Sequence, residues 1–262
     1  MKLKKWQIGT LCLLFITHVI WAKTNSQQGF VVAQKAEQKR KGFNDSQADV
    51  TMVLRNAQGE ESKRDMVIFT QEVDNDGDKV LIRFLSPGDV KGTALLNYTH
   101  KIEDDERWLF LPSIKRVKRL ASKNKSGPFM GSEFSYEDLS SPELEKYEYR
   151  YLKDEVLNGV DCFVVERIPK DKFSGYIRQE VWYDKEAYRI RKINYIDRKQ
   201  TLLKTQINSG FKLFSGEFWR PLKVAMVNHQ TGKSTELLYN TLTMKVGLEK
   251  TLFKPSGLKR LR

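Results

Sequence analysis

Residues 145–152 read EKYEYRYL, and their alternation decides the class of fold. Tyr147, Tyr149 and Tyr151 share one parity, while Lys146, Glu148 and Arg150 share the other. Successive side chains of an extended strand point to opposite faces, so this stretch has one aromatic face and one charged face. One face is expected to be buried and the other wet, as in an antiparallel sheet covered on one side.

The same texture extends in both directions. Runs rich in Val, Ile, Phe and Tyr, punctuated by Gly, Pro, Asn and Asp, predict strands over residues 48–55, 64–71, 79–85, 93–100, 106–111, 144–156, 160–168, 176–183, 188–196, 202–214, 219–229 and 234–246. Turn signals separate them at Asp74-Asn75-Asp76-Gly77-Asp78, Leu157-Asn158-Gly159, Tyr183-Asp184-Lys185 and Gln230-Thr231-Gly232, where positive φ must be tolerated. Such spacing fits hairpins of an antiparallel sheet or barrel. Before them, residues 27–41 (QQGFVVAQKAEQKRK) hold good helix formers, with Val31, Val32 and Ala36 on one side. The basic turn Lys39-Arg40-Lys41 at its end suits the helix dipole.

Residues 112–143 break the rhythm. Pro112, Pro128 and Pro142 interrupt any long element, and Ser, Lys and Gly dominate. An excursion of this length is usually functional or disordered. The large apolar residues Phe129, Met130, Phe134, Tyr136 and Leu139 argue against disorder in its second half. The segment is expected to be lid-like, with a helical turn near residues 135–139.

The N-terminus carries Lys2, Lys4 and Lys5, then an apolar run from Ile8 to Ile20, then Trp21-Ala22-Lys23. This is the pattern of a secretory signal peptide cleaved after Ala22, and the run is short for a bilayer span; an uncleaved anchor is the alternative. Leu11 stands where a lipoprotein acceptor at Cys12 would need a small residue. The expected organisation is a signal peptide at 1–22 and a single domain at 23–262. The formal charge is +13, and loss of the three lysines leaves +10. Only Cys162 remains in the mature chain, which excludes an internal disulfide and leaves stability to the core. For an exported basic protein the anionic partner is expected to be a membrane surface, not nucleic acid.

Several motifs fail on inspection. Asp74-x-Asp76-Gly77 begins like a calcium loop, but Arg83 stands where the bidentate glutamate belongs. Thr231-Gly232-Lys233-Ser234 lacks the first glycine of a phosphate loop, since Val227 is there. Cys162, in VDCFVVERI, reads as a buried small hydrophobe. The run Glu103-Asp104-Asp105-Glu106 reads as a solvated face. No motif nominates an enzyme, a metal or a cofactor.

Residues 111–120, LPSIKRVKRL, place Lys115, Arg116, Lys118 and Arg119 within five positions. One reading is a helical or turn-like contact surface for anionic head groups or an acidic partner. The other is a solvated edge strand protected by charge from pairing with neighbours.

Residues 86–139 also carry a resemblance. Ser86-Pro87-x-Asp89-Val90-Lys91-Gly92-Thr93, Trp108-Leu109-Phe110-Leu111-Pro112, Lys115-Arg116-Val117-Lys118-Arg119 and Phe129-Met130-Gly131-Ser132-x-Phe134-x-Tyr136-Glu137-Asp138-Leu139 resemble the LolA-like outer-membrane lipoprotein-sorting proteins. The matching branch is often found beside resistance-nodulation-division-type exporters. Weaker agreement runs from Gly42-Phe43 to Trp219-x-Pro221. The resemblance implies a mainly β chain with a short N-terminal helix, folded as an incomplete antiparallel barrel round an apolar cavity with a helix or loop lid. It also implies a non-catalytic periplasmic carrier of lipoprotein acyl chains or another amphiphile, working with an inner-membrane transporter. A docking subunit of an envelope transporter complex is the alternative. Alternation in residues 106–111 predicts that Trp108 and Phe110 face the interior. Phe129, Met130 and Phe134 are expected to form an apolar flap, and Tyr136 to join them as a ligand-binding residue.

Overall fold

The computed structural model describes residues 24–260, so the expected signal segment at 1–22 lies outside the described residues. The helix α1 (Asn25–Arg40) opens the described chain with a capping box: Gln27 N donates to Thr24 Oγ1 at 3.3 Å, and Thr24 N donates to Gln27 Oε1 at 3.0 Å. Thirteen strands follow: β1 (Asp45–Arg55), β2 (Glu61–Gln71), β3 (Lys79–Ser86), β4 (Ala94–Tyr98), β5 (Glu106–Leu111), β6 (Arg116–Leu120), β7 (Tyr147–Leu157), β8 (Val160–Pro169), β9 (Tyr176–Asp184), β10 (Ile190–Asp197), β11 (Leu202–Phe214), β12 (Phe218–Asn228) and β13 (Ser234–Met244). They form one antiparallel sheet in the order β6-β5-β4-β3-β2-β1-β13-β12-β11-β10-β9-β8-β7.

This order consists of two meanders joined where β1 pairs with β13, from Ser46 opposite Met244 to Arg55 opposite Ser234. The sheet does not close. Its two edges are β6 and β7, and residues 121–146 must therefore pass from one edge to the other. Twelve strands fall where the alternation placed them. The thirteenth, β6, is the basic segment, so LPSIKRVKRL is an edge strand after a single turn at Pro112–Ile114.

Strand parity sorts the core. Val80, Ile82 and Phe84 of β3, Leu95 of β4 and Leu109 of β5 join the main cluster inside the curved sheet, with Val32 and Ala33 of α1. Tyr147 and Tyr149 point to that interior too, as their alternation predicts. The opposite parity, Leu81, Ala94 and Leu96, packs under Phe253 and Leu258 of the C-terminal segment. That segment leaves β13 through Asp45, whose carboxylate accepts from Val246 N at 2.6 Å, Gly247 N at 3.0 Å and Leu248 N at 2.8 Å. Strands β3 to β5 are thus buried on both faces, which explains their nearly continuous apolar runs.

Trp108 and Phe110 belong to this second cluster, a correction to the inward placement expected from their alternation. The alternation is real, but Leu109 and Leu111 hold the interior parity and the C-terminal segment covers the other. Cys162 is fully buried beside Val164 and Trp182 on the outer side of β8 and β9, and burial pushes its thiol up.

Helix α1 lies across β7, and one residue permits it. A Cβ at Gly29 would sit 2.6 Å from Tyr151 N, so any other residue would lift the helix off the strand. The β9–β10 turn reaches α1, where Lys35 Nζ donates to the Tyr188 hydroxyl at 3.2 Å. Its buried Asp184 accepts from Ala187 N at 2.8 Å, Arg189 Nε at 2.6 Å and Arg191 Nε at 2.8 Å. Burial alone would raise this carboxyl, but these three donors outweigh it and hold it below the usual range. A depressed carboxylate pKa contributes stability that is present above the unfolded value and lost as pH falls through the folded value. Asp184→Asn should therefore destabilise by about 3 kcal/mol at pH 7, since it leaves Arg191 without a counter-charge and Arg189 with only the exposed Glu186. The gap from the parent should narrow below about pH 4 in urea titrations, because the parent loses its own contribution there.

Candidate functional site

The interior of the curved sheet is not completely filled. Three adjoining voids remain, and Pro142 borders all of them. The first, about 360 Å³, lies between the two meanders. Ala48, Ile68, Val80 and Ile82 wall it on one side, Val224 and Leu237 on the other, and Phe134 and Leu139 close it. Its size is at the lower end of the roughly 300–1,000 Å³ of small-molecule sites. The second, about 220 Å³, lies under α1 against β8 to β12, with Ala33, Ala36, Tyr149 and Ile190 among its apolar walls. The third, about 140 Å³, is more polar and is lined by Tyr147, Arg167, Tyr176, Gln179 and Tyr195.

What divides this interior is the crossing segment, residues 121–146. Its hairpin turn (Phe129 N to Phe134 O, 2.7 Å) puts Met130 and Gly131 at positive φ and drives Phe129 and Phe134 into the main cluster. Phe129 is fully buried, 5.7 Å from the rings of both Phe84 and Tyr136. The expected flap is therefore a plug: these side chains reach inside. Tyr136–Leu139 forms the expected helical turn, capped by Ser135, whose N donates to Asp138 Oδ2 at 2.7 Å.

Polar contacts tie the segment to strands on both sides. Asp138 is its main anchor, accepting from Lys204 Nζ of β11 at 2.6 Å and from the Tyr176 hydroxyl of β9 at 2.8 Å. Lys204 Nζ also donates to the Glu133 carbonyl at 2.9 Å, and Asn228 Nδ2 to Glu133 Oε2 at 2.7 Å. On the other side Arg64 of β2 donates to the Met130 carbonyl, and Arg107 of β5 to Ser140 Oγ at 2.7 Å. Ser141 Oγ donates to the buried Asp78 at 2.7 Å, where Arg40 of α1 also docks at 2.9 Å. Helix, crossing segment and both meanders therefore share one polar seam. Sequence reading took Arg40 as a helix-end charge suited to the dipole and Asp78 as part of a turn. No local pattern showed that they meet.

Of the sequence-predicted site residues, the structure brings together Phe129, Met130, Phe134 and Tyr136 in or against the main cluster. Trp108 and Phe110 stand on the other face of the sheet, away from the three voids. Lys115, Arg116, Lys118 and Arg119 are exposed along the β6 edge, with Arg119 paired to Glu106 at 2.6 Å. Sequence reasoning missed the void-lining residues of the second meander, Arg167, Val224 and Arg220. Each looks like an ordinary strand residue until the sheet curves.

An open antiparallel barrel strapped by its own crossing segment, with a largely apolar interior, defines a half-barrel fold. Known structures agree. A Vibrio parahaemolyticus domain whose name assigns it to outer membrane lipoprotein sorting is 52% identical, covers 90% of this chain and 100% of its own, and superposes with a TM-score of 0.89. A DUF1329 family protein from Desulfovibrio piger is 27% identical over 90% of this chain and 100% of its own, with a TM-score of 0.85. A LolA superfamily protein from Nitrosomonas europaea shares the fold at 20% identity over 89% of this chain and 98% of its own, with a TM-score of 0.70. A family model described as an uncharacterized protein matches residues 76–260. No curated protein matches the chain. The chain belongs to the same outer membrane lipoprotein-sorting protein family as the Vibrio domain, with a LolA-like fold.

If Asp138 anchors the crossing segment, Asp138→Asn leaves the buried Lys204 ammonium without its counter-charge and should destabilise by about 3 kcal/mol. Hydrogen exchange should rise in residues 121–146 ahead of the flanking strands. Uniform acceleration across the sheet would show instead that the contact holds the whole fold and not the segment.

Proposed function

We propose that this protein is a periplasmic carrier that shields the acyl chains of a lipoprotein or another amphiphile inside its half-barrel and moves them between envelope membranes. The observation that carries the reading is the void of about 360 Å³ walled by apolar side chains from both meanders and closed by Phe134 and Leu139. Removing hydrocarbon from water contributes about 0.8 kcal/mol per methylene, so even a partial chain there binds without any catalytic group. Widening the site for a longer chain would move the crossing segment, whose polar anchors can exchange for water. The name of the Vibrio relative supports the same reading. A docking subunit of an envelope complex would have no use for an apolar void.

Export by residues 1–22 belongs to this proposal. No described helix is long and apolar enough to cross a membrane. An inner-membrane exporter of the resistance-nodulation-division type is the proposed partner. The exposed β6 edge, with Lys115, Arg116, Lys118 and Arg119, is the proposed approach surface for anionic lipid or for an acidic face of that partner. Each near-surface Lys or Arg adds about 1 kcal/mol of attraction to an anionic membrane. The same charges guard an unpaired strand edge against aggregation.

Native mass spectrometry of protein purified from envelope extract should show co-purified lipid, and intact mass should begin at Lys23. Val224→Trp, which fills the large void, should remove the lipid while the protein stays folded, at an overpacking cost of about 1–3 kcal/mol. Lipid retained at parental levels by that variant would place the cargo elsewhere.

Replacing Lys115, Arg116, Lys118 and Arg119 by Gln should weaken association with anionic vesicles. The loss should be greatest at low salt, since the attraction fades over about 8 Å at physiological ionic strength. Stability should change by less than about 0.5 kcal/mol per site. Unchanged vesicle binding across a salt series would leave the charges as edge protection only.

A further inference from the structure

We propose that the cargo is an anionic amphiphile and that its head group is held by Arg167 and Arg220 in the void beneath α1. The proposal rests on the carrier reading and narrows its cargo to a lipid bearing a carboxylate or phosphate.

Both guanidinium groups line the same void of about 220 Å³. Arg167, on β8, is 6% exposed. It donates to Gln179 and lies 5.1 Å over the Tyr147 ring, and among the described residues it forms no ion pair. Tyr147, Tyr149, Tyr183 and Tyr195 surround it. Burial pushes all four phenols up, Tyr147 to about 12, so at neutral pH they offer neutral hydroxyls and no negative charge.

Arg220, on β12, donates to the carbonyls of Arg40 at 2.8 Å and Trp219 at 3.0 Å and packs over Phe43 at 5.0 Å. It too forms no ion pair among the described residues. Burial, with Arg40 close by, pulls it down to about 10, which still leaves it charged at neutral pH. Arg40, paired with Asp78, contributes a buried Nη2 that has no hydrogen-bond acceptor and lies 4.0 Å from Glu143 Oε1. Of the remaining charges on this wall, Arg189 pairs with Asp184 at 2.6 Å and Glu37 pairs with Lys41 through Oε1, while Glu37 Oε2 is buried without a hydrogen-bond partner. Glu217 and Lys39 are exposed at its rim.

A buried charge is normally paired, because withdrawing it from water costs several kcal/mol. Two guanidinium groups without ion pairs line one cavity, Arg167 buried and Arg220 half-buried, and planar guanidinium forks suit carboxylate and phosphate oxygens. The position also fits an amphiphile. Arg40, Arg220, Pro142 and Pro221 border both this void and the larger apolar one, so a head group between the arginines sets its chain at the entrance to the hydrocarbon site.

The test uses the mature protein loaded with a neutral pyrene-labelled acyl alcohol, displaced by oleate, by oleoyl lysophosphatidate or by oleyl alcohol. The two anions should displace the probe at concentrations about tenfold lower than the alcohol, the scale of one charge-assisted contact. The stronger of the two identifies the source as carboxylate or phosphate. In the double variant Arg167→Met, Arg220→Met, shown folded by circular dichroism, the ratio of anion to alcohol should fall to near one. Arg220→Lys should keep part of it. If the probe binds but the alcohol displaces as well as the anions, the anion site is overturned while the carrier reading stands. If the probe does not bind at all, both are overturned. If the folded double variant keeps the tenfold preference, the head group is held by other residues and the assignment to these arginines is wrong.

Discussion

The pairing of β1 with β13 is the constraint on which the rest of the structure depends. It turns two meanders into one sheet and, by doing so, puts β6 and β7 at opposite edges. Those two strands are consecutive in the chain, so the residues between them have no short route. They must traverse the concave face, and that face is where the apolar side chains of both meanders point. The lid of this half-barrel follows from connectivity. Were β1 and β13 unpaired, residues 121–146 would be an ordinary surface loop.

A segment forced through an apolar interior must satisfy its own polar backbone and side chains there. The crossing segment does so with a tight hairpin at Phe129–Phe134, a capped turn at Tyr136–Leu139 and side-chain partners on strands of both meanders. Phe129 and Phe134 add the apolar content that holds it down. The combination leaves the interior subdivided and incompletely packed, which is unfavourable in a core meant only for stability and suited to one that exchanges side-chain packing for a ligand.

Charge is divided between two places with different physics. On the β6 edge the lysines and arginines are solvated, so their effect is long-range and sensitive to salt. Under α1 Arg167 is withdrawn from water and Arg220 partly so, and there interactions are stronger and an unmatched charge more costly. A basic composition alone does not separate these populations, since an arginine in a strand reads the same whether its face curves inward or outward.

The strands and the opening helix were legible because each is encoded by spacing within ten residues or so: the tyrosines of residues 147–151, the Asn158-Gly159 turn, the basic end of α1. The motifs of residues 86–139 carried the family in the same local way. The edge strand at residues 116–120 was legible only as one of two readings, because its pattern is too basic to show which face is covered. Trp108 and Phe110 show where local pattern runs out. Alternation states that residues 108 and 110 share a face, but not which face turns inward, and the deciding contact comes from Phe253 and Leu258 far along the chain. The meeting of Arg40 with Asp78, the burial of Arg167, the half-burial of Arg220 and the voids around Pro142 likewise belong to tertiary structure alone. By itself the sequence determined what each segment can form and which residues share its faces, since those follow from bond geometry and side-chain period. Only the curvature of the sheet and the path of its crossing segment decided which faces meet, because contacts between distant segments depend on how all the strands pack at once.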